Sequence, residues 1–128
     1  MNILIVDDDP GTVALLETSA SLWGYSAAGA GNADEALELL KTELYYVMIT
    51  DAEMPGMTGF ELCRYVRSQF PRMFIIGITG SLDFYKFKDA GANTFFKKPF
   101  NLNDLHDVLK EFQSTFESGN RLSEPKYA

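Results

Sequence analysis

The sequence predicts an α/β domain in which helices cover both faces of a parallel sheet. Five short, mostly apolar runs alternate along the chain with segments that have helical periodicity or helix end signals. Because parallel strands need a long crossover, usually a helix, this repeated alternation favours a parallel sheet. Runs such as 3–6 and 73–78 are apolar throughout, which is typical of strands buried on both faces. The crossovers are expected to be right-handed.

The strands are predicted from apolar runs and from the turn residues between them. The first run is rich in β-branched residues, whereas the second is weaker because it consists of small residues after Tyr25. The sequence Met54-Pro55-Gly56 marks a turn after the third run. The five predicted strands are 2–6, 25–28, 47–50, 73–78 and 94–97.

The helices are predicted from their ends. Asp9 and Pro10 are an N-cap and a first-turn proline, and Gly24 is a stop signal. Asn32 is a second N-cap, and the third helix must end before Pro71. The predicted helices are 10–23, 33–41, one that begins at about Thr58 and ends before Pro71, 81–90 before the stop at Gly91, and one capped by Asn101 or Asn103 that runs to about 116.

Composition limits the classes of function. The chain has 128 residues, enough for one domain with its own core. A net charge of −7 argues against binding to nucleic acid or anionic lipid through the overall field. A single cysteine, Cys63, excludes a disulfide scaffold within the chain, and no apolar run approaches the length of a membrane span. No secretory signal is recognised, so a cytoplasmic protein is expected.

The domain is expected to occupy residues 1–116. From about residue 117 the chain becomes polar, with serine, glycine, asparagine and proline. This composition is typical of a disordered tail or of the start of a linker, so residues 117–128 are assigned to one of the two.

Charged residues stand where three predicted strands end. Asp7, Asp8 and Asp9 follow the first strand, Asp51 follows the third, and Lys98 follows the fifth. In open parallel sheets, ligands bind beyond the carboxyl ends of the strands. Several carboxylates in one place repel one another unless a cation lies among them, and the lysine adds a second positive group. The pattern therefore predicts a site for magnesium and a phosphoryl group.

Four segments carry a resemblance to a known family: 3–10, 49–59, 78–80 and 96–100. These segments occur in the order, and at the strand ends, that are typical of the receiver domain of bacterial two-component response regulators. The chain resembles that domain over about residues 2–116. The resemblance implies a flavodoxin-like, doubly wound fold with five parallel strands in the order 2-1-3-4-5 and five helices. It also implies a phosphoacceptor signalling domain rather than an enzyme that acts on other substrates.

The resemblance implies a role for each acidic residue. Asp51 would accept a phosphoryl group from a sensor histidine kinase or a histidine phosphotransfer protein. Asp8, Asp51 and the backbone carbonyl of Glu53 would bind Mg²⁺, with Mn²⁺ as an alternative, and Asp7 would hold the metal through water. This sparse set suits Mg²⁺, which usually keeps several waters.

The same resemblance assigns the remaining site residues. Lys98 would neutralise phosphoryl oxygens, and Thr79 would donate its hydroxyl to one of them. Positioning and charge neutralisation carry most of phosphoryl transfer, so this small set suffices. Pro99 is a candidate for a cis peptide bond. Phosphorylation would then change a surface that binds a downstream protein, whose identity the sequence does not indicate.

Several positions depart from the family pattern. Glu53, two residues after the acceptor, is interpreted as tuning the lifetime of the phosphorylated state. The segment 79–91 is about one helical turn shorter than is usual, so its helix is expected to be short or irregular. Its aromatic residues Phe84, Tyr85 and Phe87 are expected to cover the core, with an exposed docking patch as the alternative. Phe95 occupies the aromatic switch position, where an inward rotamer is expected to be favourable.

Three functions remain open at this point. The leading one is a phosphorylatable receiver. The second is an interaction module with the receiver fold that works without phosphorylation, although the complete set of Asp51, Asp7, Asp8, Thr79 and Lys98 argues against it. The third is a phosphatase of related topology with an aspartyl nucleophile, which would need a substrate cap for which this chain has no room.

Overall fold

The computed structural model describes residues 1–117 and shows a five-stranded parallel sheet flanked by helices. The strand order is β2-β1-β3-β4-β5, so the predicted flavodoxin-like topology is confirmed. None of the helices within this described range is long and apolar enough to cross a membrane. The predicted tail or linker beyond residue 117 lies outside the described residues.

The strands follow the predicted order along the chain. Their bounds are β1 (Asn2–Val6), β2 (Ser26–Ala30), β3 (Val47–Asp51), β4 (Phe74–Thr79) and β5 (Thr94–Lys97). β1 lies between β2 and β3, with Ile5 in register with Gly29 on one side and Ile49 on the other. β1 and β3 are buried almost throughout, which agrees with their apolar sequences.

The helices are α1 (Pro10–Leu22), α2 (Ala33–Thr42), α3 (Gly59–Gln69), α4 (Tyr85–Ala90) and α5 (Leu102–Glu117). Asp9 and Asn32 cap α1 and α2 as predicted, because each side chain accepts a hydrogen bond from a first-turn amide. Thr58 and Glu61 form a reciprocal capping box on α3. For α5, the side chain of Asn101 accepts from the amide of Asn103 at 2.7 Å, which decides between the two predicted caps.

The sheet separates two apolar cores. One core packs α2, α3 and α4 against one face and includes Met48, Val66 and Phe87. The other packs α1 and α5 against the opposite face and includes Ile49 and Leu105. The neighbours Met48 and Ile49 enter different cores because successive side chains of a strand point to opposite faces.

The bounds of β2 differ from the prediction of 25–28. The strand begins one residue later, at Ser26, and continues to Ala30. The sequence underestimates it because Ala27, Ala28 and Gly29 carry almost no side-chain signal for a strand. Gly29 lies within the strand and pairs with Ile5. A Cβ at Gly29 would lie 2.3 Å from Cγ1 of Val13, so only glycine lets α1 pack directly on the strand backbone.

The fourth helix also differs from the single helix predicted over 81–90. Ser81 caps a short 3-10 turn (Leu82–Phe84), in which Asp83 has non-helical angles (φ −83, ψ 20), and α4 follows with only six residues. The expectation of a short or irregular helix is therefore confirmed. Ser81 accounts for the break because its hydroxyl accepts from the Asp83 amide at 3.1 Å.

The three aromatic residues of this segment have different environments. Phe87 is fully buried, whereas Tyr85 is 54% exposed, so the expectation that all three cover the core is wrong for Tyr85. Phe84 is partly buried and packs on Phe95, with ring centroids 5.2 Å apart. Phe95 is itself only partly buried, against the edge of the core.

The position of α4 depends on a glycine in the middle of β4. A Cβ on Gly77 would lie 2.3 to 2.6 Å from the ring atoms of Phe87, so the Phe87 ring fills the space that any other side chain would occupy. Because both residues are buried, neither group has room to yield.

We therefore expect Gly77→Ala to lower the free energy of unfolding by about 1–3 kcal/mol through overpacking. The matched control is Gly80→Ala, where the nearest atom to a new Cβ is 3.9 Å away. Phe87→Leu in the Gly77→Ala background should recover part of the loss. Urea denaturation measures all three variants, and a Gly77→Ala protein as stable as the wild type would contradict this account of how α4 is anchored.

Candidate functional site

The carboxyl ends of four adjacent strands meet at one edge of the sheet. Asp7 lies directly after β1, Asp51 is the last residue of β3, Thr79 is the last residue of β4, and Lys98 lies directly after β5. β3 stands between β1 and β4 in the sheet, so Asp51 lies at the centre of this group. The structure thus brings together residues that are far apart in the chain, as the sequence predicts.

Three carboxylates form a tight cluster. Asp7, Asp8 and Asp51 each offer an oxygen, and these oxygens lie within 4.8 Å of one another. Asp7 and Asp51 are buried, with 3% and 7% exposure, whereas Asp8 is exposed. Two carboxylates are therefore held away from water at close range, and Asp8 forms the open side of the cluster.

Lys98 is the cation that contacts these acids. Its Nζ lies 3.1 Å from Oδ1 of Asp51 and 3.4 Å from Oδ2 of Asp7. The backbone amide of Lys98 donates to the carbonyl of Thr79 at 2.8 Å, which ties the end of β5 to the end of β4. The peptide bond between Lys98 and Pro99 is cis, as predicted. Lys97 lies outside the cluster, with Nζ 6.0 Å from the centroid of the Phe84 ring.

The electrostatics of the cluster are dominated by its negative charge. Burial raises the pKa of Asp51, the charge of Asp7 raises it further, and the contact with Lys98 lowers it without cancelling the rise. Burial lowers the pKa of Lys98, but the hydrogen bond and charge of Asp51 and the charge of Asp7 outweigh burial, so this pKa lies above its ordinary value. The negative charge of the neighbouring acids therefore raises the pKa of both Asp51 and Lys98, in addition to the effect of burial on Asp51.

Thr79 is held in place by its neighbours. Its side chain is fully buried, and Oγ1 accepts a hydrogen bond from the amide of Ser81 at 3.0 Å. The adjacent Gly80 is exposed, and a Cβ there would meet only Cβ of Lys98 at 3.9 Å. The structure therefore leaves room at residue 80 for alanine as well as glycine.

Two residues without an assigned role in the sequence analysis hold the backbone of Asp51. The buried Thr50 donates its hydroxyl to the carbonyl of Asp51 at 3.0 Å. Gly59 packs against the same carbonyl so closely that a Cβ there would lie 1.7 Å from its oxygen. Because α3 begins at this glycine, the helix end seats directly on the backbone of the acidic residue. Gly59 falls within the segment 49–59, but only the fold reveals the contact.

Glu53 lies at the entrance to the cluster. Its side chain is exposed and lines an open cleft together with Asp8, Asp51, Ser81 and Lys98. It is therefore close enough to the acidic residues to influence a group that enters the cleft, and it leaves the carboxylate of Asp51 accessible.

A comparison with known families matches residues 3–110 to the response regulator receiver domain. The chain belongs to this family. Receiver domains accept phosphoryl groups from histidine kinases.

Known receivers of this kind are similar along most of the chain. Sporulation initiation phosphotransferase F of Bacillus subtilis is 33% identical over 113 residues, which cover 86% of this chain and 91% of that protein. The response regulator TrrA of Thermotoga maritima, solved in complex with Mg(2+)-BeF, has a TM-score of 0.79 and 31% identity, with 86% of this chain and 96% of that chain covered.

Other relatives are longer than this receiver. The probable transcriptional regulator ycf27 of Cyanidium caldarium is 29% identical over 126 residues, and the match covers 97% of this chain but 51% of that protein. The chain therefore spans about half the length of this relative.

The raised pKa of Asp51 predicts how the free energy of unfolding depends on pH. A carboxyl group that binds protons more tightly in the folded state stabilises the fold at low pH, and this contribution is lost as the pH rises through its raised pKa. In metal-free buffer with EDTA, Asp51→Asn should therefore be more stable than the wild type at neutral pH. The difference should shrink as the pH falls toward the ordinary range of a carboxyl group.

Urea denaturation between pH 4 and pH 8 measures this difference. Asp107→Asn removes an exposed acid of α5 that pairs with Lys110 and serves as the control, with a small effect at every pH. A wild type that is more stable than Asp51→Asn at neutral pH without metal would show that Lys98 more than compensates for the buried charge.

Proposed function

We propose that this receiver accepts a phosphoryl group on Asp51, with Mg²⁺, from the phosphohistidine of a sensor kinase or a histidine phosphotransfer protein. Phosphorylation then shifts an equilibrium between two conformations and changes a surface that binds a downstream protein. The observation that carries the proposal is the convergence on Asp51 of two further carboxylates and the ammonium group of Lys98.

The chemical step uses Asp51 as the nucleophile. A carboxylate oxygen attacks the phosphorus, an O–P bond forms, and the P–N bond to the donor histidine breaks with its electron pair left on the imidazole nitrogen. Asp51 must be ionised for this attack. The contact of 3.1 Å with Lys98 favours the ionised form, in opposition to burial and to the charge of Asp7.

The residues at the site fit a magnesium ion. Carboxylate oxygens are the ligands that Mg²⁺ prefers, and three of them lie within 4.8 Å of one another. In the proposed assignment Asp8, Asp51 and the backbone carbonyl of Glu53 ligate the ion directly, and Asp7 holds it through water. Bound there, Mg²⁺ or Mn²⁺ supplies positive charge next to the transferring phosphoryl group.

Lys98 and Thr79 are proposed to hold the phosphoryl group after transfer. Lys98 provides a charge-assisted hydrogen bond from the rim of the cleft. Oγ1 of Thr79 already accepts from the Ser81 amide, which leaves the proton of this hydroxyl available for donation to a phosphoryl oxygen. A shift of Thr79 toward the phosphoryl group pulls on the segment that carries Phe84 and thereby on Phe95.

The proposed output surface lies over this segment. Leu82 and Tyr85 are 75% and 54% exposed, and Lys86 and Lys97 lie close to aromatic rings of the same region. An apolar surface with basic residues suits an acidic protein partner. The short α4 carries Tyr85 and Lys86 on this surface.

Phosphorylation is tested by intact mass after incubation with acetyl phosphate, with and without MgCl₂. The wild type should gain one phosphoryl group only with the metal, and Asp51→Asn should gain none. Lys98→Ala should slow the gain at least tenfold, because the charge-assisted contact to the phosphoryl group is lost. No gain from either acetyl phosphate or a phosphorylated histidine phosphotransfer protein would favour the interaction module that works without phosphorylation.

Glu53 is proposed to set the lifetime of the phosphorylated state. Its carboxylate at the cleft entrance orients the water that hydrolyses the acyl phosphate, so Glu53→Asn should lengthen the half-life about threefold or more. Glu38→Gln removes an exposed acid of α2 and is the control. The loss of the phosphoryl mass is followed over time, and an unchanged rate in Glu53→Asn would exclude this role.

A further inference from the structure

The strand β2 forms one edge of the sheet. It pairs with β1 on one side, and within residues 1–117 no strand pairs with its other side. In a parallel pair, successive residues of a strand direct their backbone groups alternately toward the partner and away from it. The amide of Ser26 donates to the carbonyl of Met1, and the carbonyl of Ala30 accepts from the amide of Asp7, each at 3.0 Å. The even-numbered residues of β2 therefore face β1.

The odd-numbered residues of β2, Ala27 and Gly29, direct their backbone groups away from the sheet. Together they present two amides and two carbonyls, and no hydrogen bond among residues 1–117 uses these groups. An edge strand with unpaired amides and carbonyls is a template on which a further strand can pair.

The sequence of β2 does not protect this edge. Edges are usually protected by charged residues or prolines, whereas β2 reads Ser-Ala-Ala-Gly-Ala. The other edge strand of the described sheet, β5, ends at Lys97 and is followed by Lys98 and Pro99. Ser26 and Gly29 are exposed, and no side chain of β2 is larger than that of serine. A second strand can therefore approach β2 closely.

The spacing of the outward residues defines the partner. In an antiparallel pair, two residues that lie opposite each other exchange both of their hydrogen bonds. A two-fold axis at Ala28 places Ala27 opposite the second copy's Gly29 and Gly29 opposite the second copy's Ala27. All outward groups of both copies are then paired, so the edge is complementary to itself.

The residue on the axis also suits this pairing. Ala28 would face its counterpart in a pair without hydrogen bonds, where the Cα atoms are only about 4.5 Å apart. Small side chains fit this separation, and alanine stands at this position.

We propose that two copies of this chain associate through antiparallel pairing of their β2 strands. The two sheets then form one continuous sheet. Because the strands of the two copies run in opposite directions, the two acidic clusters lie at opposite ends of this sheet, and each Asp51 stays accessible. The association is independent of phosphorylation at Asp51.

The association is expected to be weak and to depend on salt. Two strands of five residues bury less than the area of about 1,200 Å² that stable interfaces need, so a dissociation constant of about 0.1–1 mM is expected. The chain has a net charge of −7, and Oε1 of Glu17 lies 2.9 Å from the position of a Cβ on Gly29. Salt screens the resulting repulsion between the copies and should strengthen the dimer.

The test combines sedimentation equilibrium with hydrogen exchange on the full chain. Sedimentation between about 0.02 and 1 mM should show a monomer–dimer equilibrium that is at least about twofold tighter in 0.5 M than in 0.05 M NaCl. Exchange followed by NMR should slow at the amides of Ala27 and Gly29 as the concentration rises. The amide of Ser26, which already bonds to β1, is the internal control and should not change.

Variants separate the β2 edge from a general effect of charge. Ala27→Pro removes one outward amide and leaves the bonds to β1 in place, so it should weaken the dimer at least about tenfold. Because proline can disturb the strand itself, Ser26→Glu provides a second variant, which places an acid of each copy at the paired edge. It should weaken the dimer at least about fivefold. Its control, Ser114→Glu, adds the same charge at an exposed position of α5 and should change the dimer less than about twofold.

The proposal is overturned by a chain that stays monomeric up to about 2 mM, or by exchange at Ala27 and Gly29 that does not depend on concentration. A dimer that is unchanged by both Ala27→Pro and Ser26→Glu would use another surface and would overturn it as well.

Discussion

The structure of the site depends on a repulsion that the fold holds in place. Asp7 and Asp51 are buried side by side at the ends of adjacent strands, and Asp8 adds a third carboxylate at the surface. Lys98 is drawn to both buried acids, and this contact links the end of β5 to the ends of β1 and β3. Two carboxylates that lie this close raise each other's pKa, and free side chains would move apart. The parallel sheet holds Asp7 and Asp51 together because both stand at fixed strand ends. This repulsion favours a cation among the three carboxylates, which is where the proposed magnesium ion would bind.

Two glycines allow the helices to approach the sheet closely enough to shape this site. Gly59 lets the first turn of α3 sit on the carbonyl of Asp51, and Gly77 lets the ring of Phe87 sit on β4. The first contact fixes the backbone of Asp51. The second fixes α4, which follows directly on the loop after Thr79. Close packing therefore connects Asp51, the proposed acceptor, with the helix whose surface is proposed to change, because neither contact leaves space for a gradual adjustment.

The two ends of the sheet have opposite electrostatic character. At the carboxyl ends of the strands, three acids surround one lysine, and the expected ligands are a metal ion and a phosphoryl group. At the amino ends of β4 and β5, two arginines line an apolar hollow in a chain of net charge −7.

The sequence by itself determined the fold class and the members of the site. Apolar runs and capping residues such as Asp9 and Asn32 act locally, and charged residues that follow buried strands must meet at one edge of a parallel sheet. The order of the strands and the proposed role of Asp51 as the acceptor came from the family resemblance rather than from the residue pattern. Two of the predicted element bounds were wrong. In β2 the small side chains have little strand propensity, and in the fourth helix the cap at Ser81 starts a separate 3-10 turn.

Only the tertiary structure decided how these residues meet. Which acids Lys98 contacts, why residues 59 and 77 must be glycine, and which carbonyls Arg67 binds within residues 1–117 all depend on distances between segments that are far apart in the chain. A sequence records which groups are present and their local periodicity. The contacts between distant segments arise from packing, where differences of about one ångström decide whether a side chain fits.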